Sequence, residues 1–489
     1  MALRRYLTML FAAVLVFLMA APVRGEAAET PFIFSDPPFG PESYTASVGL
    51  MNAQGKILVP AEYDYGITLR DEKEIVRAFS FHKETLTREG MTQYVKSALY
   101  DARGRLLAKG SYLHYACLGA NFAATRMEGD NYTVDLLDSK GNVVKNGYAD
   151  SVTVLDEGAY VAENYLPNGM SRSVFFDENL DETASMTYYS LRTYWYGFSS
   201  VKLFPIKLDE QSEYGYINAR GDMVIEPQFL SVESFSDNGY AIVMDSTSRY
   251  GLIDTQGDYL SAERYQHIYD YGNGYIVRDD HGEFVMGPQG KQLTRPKEYA
   301  SYITGVDDDD PLTIATKASG LSDILDSEGN ILLSDICVMP TPVLEGCAIL
   351  TEKRDGFDYI SGICDVRAGK TYPLKAHYEI YLGQGRMVVE TEEGTLALYD
   401  LTGTMLYEAE YIYPVGEDGV YTVSKKRYGK LMYGLIDKDG NEVLPIEYSG
   451  LSELGNTFYF AAQRGSEMGF ITRDGEWIYR ESVYSRLMD

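Results

Sequence analysis

The sequence is poor in the residues and patterns on which most chemistry depends. It has 489 residues but only 2 Trp, 4 Cys and 5 His. The histidines, His82, His114, His267, His281 and His377, are scattered, and no HExxH, GxSxG, GxGxxG or Walker loop occurs. No Cys-x-x-Cys pair and no histidine cluster stands beside a cysteine, so no zinc site is expected. Basic residues are scarce: 43 Lys and Arg face 72 Asp and Glu, a net charge of −29. Such a chain has no general attraction for phosphate backbones or anionic bilayers, which sets nucleic acid aside as a partner. Long apolar runs are missing as well. The longest, Leu7 to Ala21, is shorter than the roughly 20 residues of a membrane-spanning helix.

That run carries a different message. Arg4 and Arg5 precede it, and Val23, Gly25 and Ala27 follow as small exit residues. The pattern predicts a secretory signal peptide over residues 1–25, hence a secreted or extracytoplasmic protein with no membrane span after cleavage. No Cys follows the apolar core, so lipid modification is not expected. Residues 26–43, with Pro31, Pro37, Pro38 and Pro41, read as an extended tether. In an oxidising compartment Cys117, Cys337, Cys347 and Cys364 are either disulfide partners or buried thiols. A single bond would join two of the last three, and both readings stay open.

What the chain has in abundance is repetition. A D-x-x-G turn appears at Asp101 to Gly104, Asp138 to Gly141, Asp254 to Gly257, Asp326 to Gly329, Asp400 to Gly403 and Asp437 to Gly440. Variants sit at Gly55, Gly221, Gly290, Gly369 and Gly475, and Asp177 to Leu180 is a degraded copy. The unit recurs every 33–49 residues through the chain. Asp in the first position accepts from N–H groups two residues on, and Gly in the fourth takes a left-handed conformation. Leu180 lacks that freedom, so its turn should be different or strained.

An aromatic column follows about eight residues after the Gly. It holds Tyr63, Tyr112, Tyr188, Phe229, Tyr265, Tyr411 and Tyr448, with Tyr299 and Tyr378 one place later, Tyr148 one earlier and Cys337 in one copy. Most of these tyrosines are expected to be core anchors. A third column opens an apolar run, as in GYAIV from Gly239 and GVYTV from Gly419. Short runs rich in Val, Ile, Tyr and Phe, bounded by Gly, Asp and Pro, predict strands throughout.

Tyr214-Gly215-Tyr216-Ile217 with the following MVIEPQF resembles the WG-type repeat. So do Tyr250 to Asp254 and Tyr433 to Asp437 with KDGNEVLPIEY, while Phe235 to Val243 matches the closing strand. No Trp precedes a motif Gly; Trp195 and Trp477 lie elsewhere. The resemblance implies a β-rich repeat module used for interactions, with no shared active site to transfer.

The predicted fold is all-β, with tandem units of three to four short strands. One unit cannot bury both faces of its sheet, so copies must stack. Radial stacking makes a β-propeller, in one ring or two; linear stacking makes an open β-solenoid. Edge protection favours the propeller. The last copy, Gly469 to Arg480, lacks room for its final strand, and the segment before Gly49 is a candidate to supply it. Residues 44–250 and 251–489 are taken as two repeat arrays.

Several local motifs are weighed and set aside. Ser199 to Lys202 fits S-x-x-K and Ser236-Asp237-Asn238 fits S-D-N, but Lys370-Thr371 is followed by Tyr372 where acyl-enzymes have Gly. Arg220-Gly221-Asp222, an adhesion tripeptide, is a plain variant of the repeat turn. Asp307 to Asp310 reads as a solvated loop tip, with a weak calcium site as the lower-ranked alternative. Asp437 to Asn441 has its Gly two places early for an EF-hand loop. No catalytic, cofactor-binding or metal-ligating residue is assigned, and no cofactor is expected. The expected function is an exported, non-enzymatic binding or scaffold protein. Its partner would be an envelope protein, a peptide or a surface polysaccharide. The alternative is a cell-envelope glycan hydrolase or lyase; a sensor ectodomain ranks last.

Overall fold

The computed structural model describes residues 30–482, apart from 37–46, 74, 87–91, 130, 193–199, 272–273, 296, 305–311, 340–342, 344, 355–356, 417–418 and 455–458. The predicted signal peptide lies outside the described residues. No described residue is helical. The described strands form twelve antiparallel sheets of three or four, each with its strands in chain order. They span residues 32–63, 65–110, 114–149, 151–188, 190–229, 231–253, 267–286, 301–336, 347–376, 378–409, 411–448 and 450–482, numbered here sheets 1 to 12. In sheets 6 and 7 isolated bridges, Tyr250 to Tyr265 and Met286 to Gln292, mark the place of a fourth strand, and in sheet 9 Val338 to Leu350 marks that of a preceding one.

The turn chemistry holds as the sequence predicts. Asp101 Oδ1 accepts from the N–H groups of Arg103 and Arg105 at 2.9 and 2.8 Å, and the Gly104 N–H donates to the Asp101 carbonyl at 2.9 Å. The same set recurs at Asn218, Asp254, Asp326, Asp400 and Asp437. Leu180 closes its copy by the same hydrogen bonds with φ forced to +63°. Its side chain is buried, and that burial offsets the backbone cost.

The glycine after the motif tyrosine has a separate reason. In sheet 5 the third strand, Tyr214–Asn218, pairs with the fourth, Met223–Phe229, through two register shifts around Pro227. The bulged fourth strand folds back over Gly215. A Cβ there would stand 2.4 Å from the Ile225 carbonyl oxygen and 2.8 Å from the Pro227 nitrogen. Gly49 against Val59 and Ala61, and Gly434 against Leu444 and Ile446, repeat the contact.

Most sheets follow one another without a loop. The last strand of sheet 1 runs to Tyr63, and the Asp64 N–H already donates to the His82 carbonyl of sheet 2 at 2.9 Å. Asp150, Tyr189, Leu230, Gln266, Ala300, His377 and Ser449 make the same step into the second strand of the next sheet, at 2.7–2.9 Å. The residue just before this step is always buried. It is Tyr63, Tyr188, Phe229, Tyr265, Tyr299 or Tyr448 in six copies, but Ala149 and Ala376 in two. Ala409 occupies the matching buried place at the end of sheet 10. The aromatic column is therefore corrected: Tyr411 is 42% exposed, and Tyr112 is half-buried beside the buried Tyr115.

The chain divides into two compact units. One holds residues 1–117, 140–142 and 408–489, the other residues 118–139 and 143–407. In the first unit sheet 1 packs on sheet 2 through Leu50, Val59, Tyr63, Phe79 and Phe81, and sheet 11 on sheet 12 through Leu435, Tyr448 and Phe460. Sheet 1 also packs on sheet 12: Phe32, Phe34 and Met51 meet Tyr459, Ala461 and Phe470. In the second unit, shared cores link sheets 4 to 10 in chain order, each to the next. This is the blade arrangement of a β-propeller.

Three boundary expectations are revised. Residues 32–36 of the supposed tether form β1, Phe32–Asp36, with Phe32 and Phe34 buried. β1 pairs with β2, Ser47–Met51, and not with the last sheet, which builds its fourth strand from Trp477–Ser482 of its own. The terminal sheets meet face to face instead. No boundary falls at 250/251: Ile242 and Leu252 of sheet 6 share a core with Tyr265, Ile268 and Tyr275.

Candidate functional site

The motifs weighed in the sequence are absorbed by the scaffold. The Ser200 N–H donates to Asp237 Oδ1 at 2.6 Å and Lys202 pairs with Asp156 at 3.5 Å; Ser199 lies outside the described residues. Ser236 opens a hairpin turn, with Oγ donating to Asn238 Oδ1 at 2.7 Å, and Asn238 Nδ2 donates to the Tyr275 hydroxyl at 2.9 Å. Arg220-Gly221-Asp222 is the turn of sheet 5, with Asp222 Oδ2 accepting from Asn218 Nδ2 at 3.0 Å. Asp307 to Asp310 and Trp195 lie outside the described residues. The four cysteines are unbonded thiols. Burial pushes the Cys117 thiol up to about 12 and the Cys347 thiol up to about 11, so both are unreactive at neutral pH.

A polar cleft of about 410 Å³ opens in the second unit. It is lined by the hairpin Arg278 to Glu283, by Gln266 and by Lys297 and Tyr299. Arg278 Nε donates to Glu283 Oε1 at 3.0 Å. Asp279 Oδ1 accepts from the N–H groups of His281 and Gly282, and Asp280 Oδ1 accepts from Gln266 Nε2 at 2.6 Å. Behind the cleft Tyr299 donates to the buried Asp323 at 2.8 Å. Burial alone would raise the Asp323 carboxyl. Lys317 at 2.6 Å, with Tyr299, the Asp335 N–H and Ser334, outweighs it and holds the group at about 2. Arg278 pairs with Glu283 across the hairpin, and Asp280 pairs with Arg249 at 3.4 Å from outside the cleft lining. His281 approaches Asp279 at 3.5 Å, but no serine, threonine or cysteine stands among the lining residues to be activated.

A different feature recurs from sheet to sheet. The hairpin joining second and third strands carries an exposed aromatic close to its tip in three sheets, Tyr132, Tyr165 and Tyr428, and Phe357 is exposed at the hairpin joining the first two strands of sheet 9. Edge strands add Tyr269 and Tyr271, and Tyr411 and Tyr413, the latter pair stacked with centroids 6.2 Å apart. Sequence reasoning missed these as a class. All but Tyr411 sit outside the aromatic column, and the hairpin residues are marked only by their closeness to a turn.

A family model for the WG containing repeat matches residues 49–68, 214–245 and 433–454. The chain carries WG-containing repeats. Two of the matched stretches open at the tyrosine before the clasped glycine and the third at Gly49 itself, so the WG repeat is, in physical terms, the bulged strand pair and the step into the next sheet. No curated protein matches the chain. Among solved structures, a crystal structure of the eukaryotic initiation factor is similar at 12% identity and TM-score 0.30, covering 79% of this chain and 96% of that one. BamB from Moraxella catarrhalis is similar at 14% identity and TM-score 0.20, covering 58% and 91%.

Proposed function

We propose that this WG-repeat chain is an exported, non-enzymatic binding scaffold whose partner is an envelope protein, a peptide or a surface polysaccharide. The observation that carries the reading is the aromatic presented at the second-to-third-strand hairpin of several sheets. A large apolar ring in water gains nothing for the fold, whereas tyrosine at a contact surface supplies area at low entropic cost. In the cleft, Arg278 is engaged by Glu283, Asp279 by its own turn and Asp280 by Gln266. Export rests on Arg4, Arg5 and the apolar run Leu7 to Ala21.

The test uses the full-length chain, immobilised and exposed to solubilised envelope proteins and to a panel of polysaccharides. Retention of a defined component without release of reducing ends is expected. Release of reducing ends would favour the glycan hydrolase or lyase reading instead. N-terminal sequencing of the protein from the culture medium or envelope should begin after Gly25 or Ala27.

A further inference from the structure

Beside the polar cleft, sheet 7 presents two aromatic rings to solvent. Its first strand, His267–Asp270, pairs with its second, Tyr275–Arg278, so that His267 stands opposite Arg278, and Arg278 opposite Glu283 of the third. Cross-strand partners point to one face and residues two apart share it, so Tyr269 lies on the face that carries the Arg278–Glu283 pair. The Tyr269 ring rests on His267 with centroids 4.0 Å apart, and His267 stacks on Tyr250 at 4.9 Å. Tyr269 and Tyr271 are nevertheless each 40% exposed. The charged groups of the cleft are tethered at one atom and open at another. Glu283 Oε1 takes both bonds from Arg278, and Asp280 Oδ1 takes those of Gln266 and Arg249. Glu283 Oε2, Asp280 Oδ2 and Arg278 Nη1 make no hydrogen bond among the described residues. Lys297 completes the lining. Its φ of +62° is left-handed, its side chain is exposed, and it has no ion pair among the described residues. Its stem crosses Gly282 so closely that a Cβ there would stand 2.5 Å from Lys297 Cγ.

A strained lysine with no partner, half-anchored carboxylates and rings held out in water meet at one cleft, and together they point to a ligand from solution. We infer that this face of sheet 7 binds a segment of polysaccharide that carries uronic acid units. A sugar hydroxyl both donates and accepts, and the cleft sets acceptors, Glu283 and Asp280, beside donors, Arg278 and Gln266. The C–H faces of a pyranose ring are apolar and suit Tyr269 and Tyr271. Lys297 is the lining cation that holds no carboxylate of the fold, so it is placed to pair with one on the sugar. With Arg249, three cations then stand against Asp279, Asp280 and Glu283, so the cleft does not share the acidic excess of the chain. More distant charge is screened beyond roughly 8 Å at physiological salt. An acidic peptide would satisfy Lys297 but brings neither the run of hydroxyls nor the flat apolar ring. The inference rests on the binding-scaffold reading and selects the polysaccharide among its partners.

The test is isothermal titration calorimetry of the full-length protein, in physiological salt with EDTA, against hexagalacturonate, its methyl ester and hexaglutamate. Hexagalacturonate should bind at least about fivefold more tightly than the ester and about tenfold more tightly than hexaglutamate. Lys297→Met keeps the stem over Gly282 and removes the charge. It should abolish the preference for acid over ester with no fall in melting temperature. Tyr269→Ala should weaken acid and ester alike by about tenfold, whereas Tyr411→Ala and Lys56→Met, at exposed positions elsewhere, should leave both unchanged. Equal affinity for acid and ester, hexaglutamate binding as tight as hexagalacturonate, or an undiminished preference in Lys297→Met overturns the inference. So does the absence of binding by either saccharide. If the saccharides fail while the immobilised protein still retains an envelope protein, the scaffold reading stands and this inference alone falls.

Discussion

A left-handed backbone residue is tolerated here for two different reasons, and substitution tells them apart. Leu180 and Tyr428 have φ of +63° and +53°. Each conformation costs roughly 1–2 kcal/mol for a side chain bearing Cβ. Leu180 is buried and gains about 1.5–3 kcal/mol from that burial; Tyr428 is wholly exposed and gains none. Leu180→Gly should therefore be neutral or destabilising by about 1 kcal/mol, whereas Tyr428→Gly should stabilise by about 1 kcal/mol. Urea unfolding of both variants checks the pair of signs. His82 supplies the pH dependence at this scale. Burial lowers its pKa from 6.5 to about 4, the backbone of Tyr112 opposing and His114 adding to the effect. The unfolded chain takes up the proton first, so the contribution is intact above pH 6.5 and is lost progressively as pH falls toward 4. The loss reaches about 3 kcal/mol. Lowering the pH also relieves the self-repulsion of an acidic chain. The measurement is therefore the difference between wild type and His82→Gln in unfolding free energy from pH 7 to pH 4, which should shrink by that amount.

At the scale of the strand pair, the motif glycine is a steric requirement. A methyl at Gly215 would meet the Ile225 carbonyl at 2.4 Å, with strand backbone on both sides of the clash and no flexible side chain to yield. Gly215→Ala should destabilise by about 1–3 kcal/mol. The same change at Gly239, where a Cβ meets nothing, should cost only the price of its φ of +88°, about 1 kcal/mol. A chemical denaturation series on the two variants decides whether clash or conformation dominates. This scale also shows how far the sequence could be read. Turn residues are legible because their chemistry is local: Asp101 and Gly104 satisfy each other within one hairpin. The anchor column is less so. Its buried place shifts by one or two residues between copies, so a fixed count from the glycine finds Tyr448 but lands on exposed Tyr411 instead of Ala409. The outward aromatics have no periodic signal, since a tyrosine at a hairpin tip and a tyrosine in the core look alike in composition.

At the scale of the molecule, the question is what protects the first and last sheets. A stack of sheets that simply ended would leave one face of sheet 1 and one of sheet 12 in water, and each could open without the other. Here Phe32 packs against Tyr459 with centroids 4.6 Å apart and ring planes tilted by 32°, and both Phe32 and Phe34 meet Phe470 edge-on at 5.8 Å. The aromatic contact joins residues more than 400 positions apart in sequence, so a segment that reads as a tether on its proline content becomes part of the core only through its distant partner. Phe32→Ala should cost about 3–5 kcal/mol, because it removes a buried ring from a site walled by other rings that cannot collapse onto the space. The damage should appear on both sides of the contact. Limited proteolysis followed by mass spectrometry should find new cuts in sheets 1 and 12 together, at equal protease concentration, while the interior sheets of the second unit keep their resistance. Cuts confined to sheet 1, with sheet 12 as resistant as in the wild type, would mean that the last sheet stands without the first and that the ends are as independent as those of an open solenoid.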